Sequence, residues 1–433
     1  MTAGLSRRGF IGLAAMVGGT ALAGCAPNGG GGGGSAAADS LTFRWWGGDE
    51  RNKAYLAALA IFTKKSGIKV SSQYSGYDGY FDKLNTEFAG GNPPDLIQMD
   101  TALVSTYANK GTLLDLAKYI PKPIGLDTLY EPLRAGGDVK GKTYGTASGS
   151  GNSPVLFDKT LLEKLKVDVP TNDWTWDDFS TIAGETSKAL GKGKYGAIDS
   201  SPDDSGAFSP WLRQRDMDLY LEDGTLGFDA DALTEWFTFW AGLRKSGAVC
   251  PPNLLEAAGS ATGAHPLIAG QVAMTTGWGL AQMAPLTRHE LGIVIVPRTD
   301  GKTGQALSAG VLLCIPKSGK NPAGSAKLMD AFINDDDVIK AMTVTRGLPP
   351  SDKSKKLLLP LLDANAKRDV EYGDYVAKEV VKDALPAPAT APPGYGDAKT
   401  ALDMAAKNIA FGKATISESV TQYFKDAKKA LDV

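Results

Sequence analysis

Apolar positions along the first hundred residues recur with two periods. Leu41-Thr42-Phe43-Arg44-Trp45-Trp46 reads as a strand, and Gly47-Gly48-Asp49 then turns the chain into a helix with Asp49 as its expected N-cap. Leu56, Leu59, Ala60 and Phe62 mark one helical face, which ends at Gly67. Ile68-Lys69-Val70 opens a second strand. Phe81, Leu84 and Phe88 form another amphipathic stretch that stops at Gly90-Gly91, and Pro93-Pro94-Asp95 precedes the strand Leu96-Ile97-Gln98-Met99. Strands alternating with helices in this order predict an α/β lobe on a mainly parallel sheet.

From about Pro154 to Val296 the same character returns with more helix. Thr175 is the expected N-cap of a helix whose first turn carries Asp177 and Asp178, where acids suit the positive end of the helix dipole. Trp236 and Trp240 are four apart and share a helix face, so they and Trp174 and Trp176 are assigned to packing. Pro386 to Tyr395 is a proline-rich loop between helices. The last helix opens with a Thr415-Ile416-Ser417-Glu418 capping box and carries a Val420, Phe424, Ala427, Leu431 core stripe.

The beginning of the chain follows a different pattern. Arg7-Arg8 precedes a short apolar run that ends at Leu22-Ala23-Gly24-Cys25. Paired arginines before such a run are an export signal of the twin-arginine kind, and Leu-Ala-Gly-Cys resembles a lipobox whose cysteine is acylated. The run is short and rich in glycine, whereas crossing a bilayer takes about 20 apolar residues. Residues 1–24 are therefore expected to be a twin-arginine lipoprotein signal peptide, with Cys25 the lipidated first residue of the mature chain. Residues 25–39, with glycine from Gly29 to Gly34, read as a flexible tether spanning roughly 20 Å. The expected location is the extracellular face of the cell membrane, held by the lipid.

Composition narrows the chemistry. Of 433 residues, 43% are hydrophobic and 22% charged, with a formal net charge of −2, so no basic stripe for nucleic acid is expected. Two histidines, His265 and His289, are too few for an ordinary zinc cluster and make a Ser/His/Asp triad improbable. Cys250 and Cys314 can pair as a disulfide outside the cell, but Cys314 lies in the apolar run Val311–Ile315, which favours a buried thiol. Export after folding in the cytoplasm argues the same way.

Two glycine motifs match nucleotide-binding patterns without their context. Gly136 to Thr143 fits a P-loop, yet Tyr144-Gly145-Thr146-Ala147-Ser148-Gly149 follows where a helix must start. Gly191 to Gly196 fits GxGxxG, but with a helix before it and a strand after it, the reverse of a dinucleotide site. Both are expected to be turns. No metal and no cofactor are expected.

Several segments, in order and over nearly the whole mature chain, resemble the extracellular solute-binding proteins of bacterial ABC importers, in the sugar-binding group that includes the maltose-binding protein. They are Leu41–Val70, Asn92 to Met99, Gly111-Thr112-Leu113-Leu114-Asp115-Leu116, Gly141 to Gly145 with Phe157-Asp158-Lys159, and Pro170 to Phe179. Later come Gly270-Gln271-Val272-Ala273-Met274, Gly277-Trp278-Gly279 and Ser308-Ala309-Gly310. The pattern departs at Phe157-Asp158-Lys159, where the group usually has Tyr-Asn; Asp158 still suits a helix cap. The resemblance implies a periplasmic-binding-protein-like fold: two α/β lobes, a multi-crossover hinge and a ligand cleft between them. It places crossings near Ser148–Asn152, Pro297–Gln305 and Val344–Leu348. One lobe is then expected from 40–148 with 306–346 and the other from 149–305 with 347–433.

A sugar offers apolar C–H faces rimmed by hydroxyls, so its site needs flat rings and planar polar groups. Covering roughly 100 Å² of a ring contributes about 2.5 kcal/mol before ordering costs. Trp45 and Trp46 end a sheet strand, where ligands sit in open α/β sheets; they alternate faces, so one is expected to meet ligand and the other to pack. Asp49 can accept sugar hydroxyls or act as a plain cap. Asp100 ends another strand. Trp278, on a glycine-flanked loop, is the leading candidate, with Trp211 behind it. Asn152 lies at the first crossing, Ser308 opens the returning strand, and Arg346 near the third crossing can bind ligand or brace the hinge. The expected function is a lipid-anchored carbohydrate-binding protein, a monomer and not an enzyme, that delivers its ligand to ABC permease subunits. A tethered polysaccharide-acting enzyme and a carrier of a non-sugar solute are the alternatives.

Overall fold

A computed structural model describes residues 39–432 except 78, 152, 259–262 and 386–387; the signal segment, Cys25 and the glycine run lie outside the described residues. Three strands, β1 (Ser40–Trp46), β2 (Lys69–Ser75) and β3 (Leu96–Met99), run parallel, as their alternation with helices requires. A short hairpin of β4 (Asp138–Val139) and β5 (Lys142–Thr143) leads into β6 (Gly145–Gly151). There follow β7 (Val155–Asp158), β8 (Tyr195–Ala197), β9 (Val272–Thr276), β10 (Leu291–Val294) and β11 (Ser308–Cys314). The first main sheet has the order β2-β1-β3-β11-β6 and the second β10-β7-β9-β8.

Each sheet has its own core. Phe43, Trp45, Tyr55, Leu84, Leu312 and Phe332 belong to the first. Trp174, Phe179, Trp236, Trp240, Leu402 and Tyr423 belong to the largest cluster of the second. Trp236 and Trp240 are almost wholly buried, as their helical spacing predicts. The two lobes of an α/β fold are thus separate hydrophobic bodies on one chain.

Local sequence rules explain most element ends. Asp158 accepts the Leu161 N–H at 2.8 Å and caps the next helix. Thr175 and Asp178 form a reciprocal capping box, as do Thr415 and Glu418. The P-loop-like segment is the β4–β5 hairpin, whose turn residues Lys140 and Gly141 both take positive φ, 51° and 73°. The GxGxxG segment joins the helix Trp176–Leu190 to β8 as a turn. Cys250 and Cys314 are buried and unpaired. One expectation is corrected: Gly48, not Asp49, is the N-cap of the helix Asp49–Ser66. Asp49 is its exposed first residue, placed to favour the dipole but capping nothing.

The passages between sheets also differ in detail from expectation. β6 stays in the first sheet through Gly151, beyond the boundary expected at 148, and β7 opens the second at Val155. Ser150 and Leu348 exchange two backbone hydrogen bonds of 2.9 Å, which ties 346–348 to the end of β6. Glycine is required there, since a Cβ on Gly149 would collide with the Arg346 carbonyl oxygen. The helix Asp352–Leu358, expected in the second lobe, packs on the helix Asp336–Met342 of the first, and Tyr130 Oη donates to Asp352 at 2.9 Å. The chain reaches the second lobe later, in the helix Ala364–Asp383, which lies against β10.

Candidate functional site

Strand direction locates the site. β11 runs antiparallel to β3 with Leu312 opposite Met99, so Ser308 and the end of β6 lie at the carboxyl ends of β1, β2 and β3. In the second sheet Val155 lies opposite Thr276, so the start of β7 marks the carboxyl end of β9 and of its parallel neighbour β8. Both sheets therefore turn the carboxyl ends of their parallel strands toward the passages, where open α/β sheets bind ligands.

On the first lobe Trp45 and Trp46 part company. Trp45 is fully buried: it stacks on Tyr74 at 5.0 Å, lies 4.8 Å from Tyr55, and its Nε1 donates to Asn52 at 2.9 Å. Its role is packing. Trp46, on the opposite face, is also a core residue: at 9% exposed it packs edge-on against Tyr80 at 5.0 Å and on Phe81 at 5.7 Å, and it meets Tyr77 edge-on at 5.5 Å. Tyr77, just past β2, is 50% exposed, and its hydroxyl donates to Asp100 Oδ2 at 2.9 Å. The other Asp100 oxygen accepts the Ala102 N–H at 2.9 Å. A half-open ring is thus fixed beside a carboxylate.

The second lobe presents polar groups. After β8, Asp203 accepts from Gly206 N at 2.8 Å and from Thr276 Oγ1, at the end of β9, at 3.2 Å. Burial, reinforced by Asp204, nevertheless holds the Asp203 carboxyl above its usual range. Asp204 accepts from Tyr395 Oη at 2.7 Å and pairs with Lys399 Nζ at 3.2 Å. Burial pulls the Lys399 ammonium down, but Asp204, Asp203 and Asp100 outweigh it and leave it raised. Burial, then Asp204, push the Tyr395 phenol well above its ordinary value, with a contribution from Asp100. Asp100 belongs to the other lobe, so its field crosses the gap. A contact spans it too: Ser105 Oγ, five residues past Asp100, donates to the Ala391 carbonyl, four residues before Tyr395.

Trp278 is half-buried rather than free on its loop. It packs against the small core cluster that contains Leu156, Ile198 and Leu280, its Nε1 donates to Ala258 O at 3.2 Å, and it meets His265 edge-on at 6.0 Å. Its loop is held from outside: Asp369 accepts Leu280 N at 2.7 Å and Ala281 N at 2.8 Å.

Trp211 is corrected to a core residue. It is 2% exposed, lies against Phe208 and Trp236, and has Arg215 over its ring at 3.5 Å. Arg346 is buried, donates to the Phe332 carbonyl at 3.3 Å and covers the Phe332 ring, which makes it a brace of the first lobe. Ser308 is exposed at the first sheet's rim, and its hydroxyl lies 3.4 Å from the Gly151 carbonyl. Asn152 lies outside the described residues.

Of the expected residues Asp100, Trp278 and Ser308 lie at strand ends, Asp49 is exposed on the first helix, and Trp45, Trp46, Trp211 and Arg346 are in packing. Sequence reasoning missed Tyr77, Asp203, Asp204, Tyr395 and Lys399. The first three were findable, since each follows a strand's carboxyl end; Tyr395 and Lys399 arrive from a helix nearly two hundred residues away. Among the described residues no group of three or more His, Cys, Asp or Glu is placed to hold a metal. Two surface concavities of about 540 and 390 Å³ are lined by none of these strand-end residues: one surrounds Arg298 and Glu379, the other lies between the two last helices.

Two α/β lobes whose strand ends face each other across a shared gap define a two-lobed binding protein. Residues 57–373 match the family model of the bacterial extracellular solute-binding proteins, and the chain belongs to that family. A curated relative from Streptomyces antibioticus, described as an uncharacterized lipoprotein in the oleD 5′ region, is 29% identical over 134 residues; the match covers 30% of this chain and only 28% of the relative. An ABC substrate-binding protein from Listeria monocytogenes, solved with cycloalternan, has a TM-score of 0.76 at 21% identity, over 91% of this chain and 99% of its own. A periplasmic oligogalacturonide-binding protein from Yersinia enterocolitica, solved with saturated digalacturonic acid, has a TM-score of 0.75 at 21% identity, over 90% and 99%.

Proposed function

We propose that this protein is a lipid-anchored extracellular carrier that captures a sugar or oligosaccharide between its lobes and delivers it to the permease of an ABC importer. The observation that carries the reading is the polar and aromatic furniture at the strand ends of both lobes: the half-exposed Tyr77 ring held by Asp100 on one, and Asp203 with Tyr395 and Lys399 gathered on the buried Asp204 on the other. A ring covers a sugar's C–H face, and carboxylates accept its hydroxyl protons. The ligands of the Listeria and Yersinia relatives support a carbohydrate. The lipobox at Cys25 and the Streptomyces relative support the anchor. In this reading the protein binds and releases without chemistry, acts as a monomer, and uses the passage between β6 and β7 with those near 297–305 and 344–348 as its hinge.

A thermal-shift screen against mono- and oligosaccharides tests it. A sugar at 100 times its dissociation constant is expected to stabilise the protein by about 2.7 kcal/mol. Release of new reducing ends from a glycan, lost on mutation of Asp203 or Asp204, would replace the carrier with an enzyme.

A further inference from the structure

We infer that Gln305 is the positioning residue of the two lobes: its buried carboxamide ties two of the passages between the sheets to one point of the second lobe and so limits how far the lobes can part. The inference rests on the carrier reading above, in which the lobes close on a ligand, and it narrows the turning part of the passage near 297–305 to that passage's end.

The passage is held along its length before Gln305 is reached. Arg298 donates to the Asn172 carbonyl at 2.7 Å and to the Glu379 carboxylate at 2.8 Å. The Gln214 carboxamide donates to the Pro297 and Thr303 carbonyls at 2.7 and 2.9 Å. Asp383 accepts the Thr303 and Gly304 N–H groups, both at 2.9 Å. A Cβ on Gly304 would lie 2.1 Å from the Pro210 carbonyl oxygen, so the backbone there is pressed against the second lobe. A segment with these ties moves with the body that holds it, and the turning must come after it.

Gln305 is the next residue. It is 3% exposed, and its Nε2 donates to the Ser153 carbonyl at 2.9 Å and to Tyr372 Oη at 3.2 Å. Ser153 belongs to the passage from β6 to β7, and Tyr372 to the helix Ala364–Asp383. In the first sheet, Ser308 lies opposite Gly151 where β11 pairs with β6. The two passages therefore leave the first sheet as paired strands and enter the second lobe at points joined by one carboxamide. Ala306 and Leu307 alone separate Gln305 from Ser308, and one residue separates Gly151 from Ser153. Each residue of extended chain spans at most about 3.6 Å. Two links this short permit rotation but little sliding while their roots stay together. Without the carboxamide the roots can separate, and a paired hinge becomes two independent linkers.

The test reads lobe separation in the ligand-free protein. Spin labels are placed on Lys110→Cys in the first lobe and Lys192→Cys in the second, both at exposed positions, in a Cys25→Ser chain whose remaining thiols are buried. Pulsed electron resonance then gives the distribution of distances between the labels. Gln305→Met keeps the side chain's length and loses its donors, and is expected to widen that distribution at least about 1.5-fold. Gln305→Glu still accepts from Tyr372 but cannot donate to Ser153, and is expected to widen it as well. Glu379→Gln weakens a tie inside the second lobe, and should lower the melting temperature without changing the width. A purely structural Gln305 would behave like Glu379. An unchanged width in both Gln305 variants, or an equal widening by Glu379→Gln, overturns the inference. Failure of every sugar in the thermal-shift panel to bind would overturn the carbohydrate reading and not this tie, which the ligand-free widths decide.

Discussion

The two lobes solve one placement problem in opposite ways. In the first, aromatic side chains run to the tip of the sheet, and strand alternation sends them to opposite faces: Trp45 packs on Tyr55 and Tyr74, and Trp46 on Tyr80, Phe81 and the half-exposed Tyr77. In the second, Trp236 and Trp240 sit on the helix Ala230–Ser246, and the strand ends carry Asp203, Asp204 and Thr276 beside the half-buried Trp278. An apolar ring at a rim is held by the core beneath it. A carboxylate at a rim has no such support and must be held by hydrogen bonds, which Tyr395, Thr276 and Gly206 supply to the Asp203-Asp204 pair. The first lobe therefore presents surface, and the second presents tethered polarity.

The largest effects test the assignment of rings to cores. Trp45→Ala, Trp46→Ala and Trp236→Ala should each cost about 3–5 kcal/mol in urea unfolding, as buried aromatics do, and a loss under about 1 kcal/mol for any one of them would take that ring out of the core.

Acid should separate the lobes next. His265 is wholly buried, and burial lowers its imidazole to about 4, against 6.5 in an open chain. The unfolded chain takes up the proton first, so stability present above pH 6.5 is lost as pH falls through about 4, by roughly 2–3 kcal/mol. Thermal melts across that window should steepen for the parent and flatten for His265→Gln. Parallel curves would remove His265 from the account.

Asp369→Ala should cost about 2 kcal/mol by leaving the Leu280 and Ala281 N–H groups unpaired, and should weaken sugar binding if the loop of Trp278 serves the ligand. Stability lost with binding intact would confine Trp278 to structure. The smallest stability effect belongs to Tyr77→Ala: a change under about 1 kcal/mol, with sugar affinity down about tenfold. Unchanged affinity would mean that the first lobe's rim does not meet the ligand.

Much of the fold was legible because it is written in short-range terms. Period-two and helical apolar spacing gave β1 to β3 and their helices, and capping residues such as Thr175 and Thr415 marked helix starts that the structure keeps. Among the candidate residues, the place of Asp100 and Ser308 was legible because it depends only on a strand's end. Trp211 misled because a proline-led turn resembles a loop, whereas the ring is enclosed by Phe208, Trp236 and the Arg215 guanidinium. Lys399 and Tyr395 could not be read, since nothing near them in the chain announces Asp204. The placement of 347–358 failed for the same reason: it is fixed by contacts with Tyr130 and the helix Asp336–Met342, not by a local signal.

The helix Ala364–Asp383 begins where the chain finally enters the second lobe, and its Asp369 grips the two N–H groups behind Trp278. At 20 residues it is about 30 Å of rigid rod. Breaking that rod near its start would therefore be felt at the Leu280 and Ala281 N–H groups, far along the chain, as well as within the helix itself.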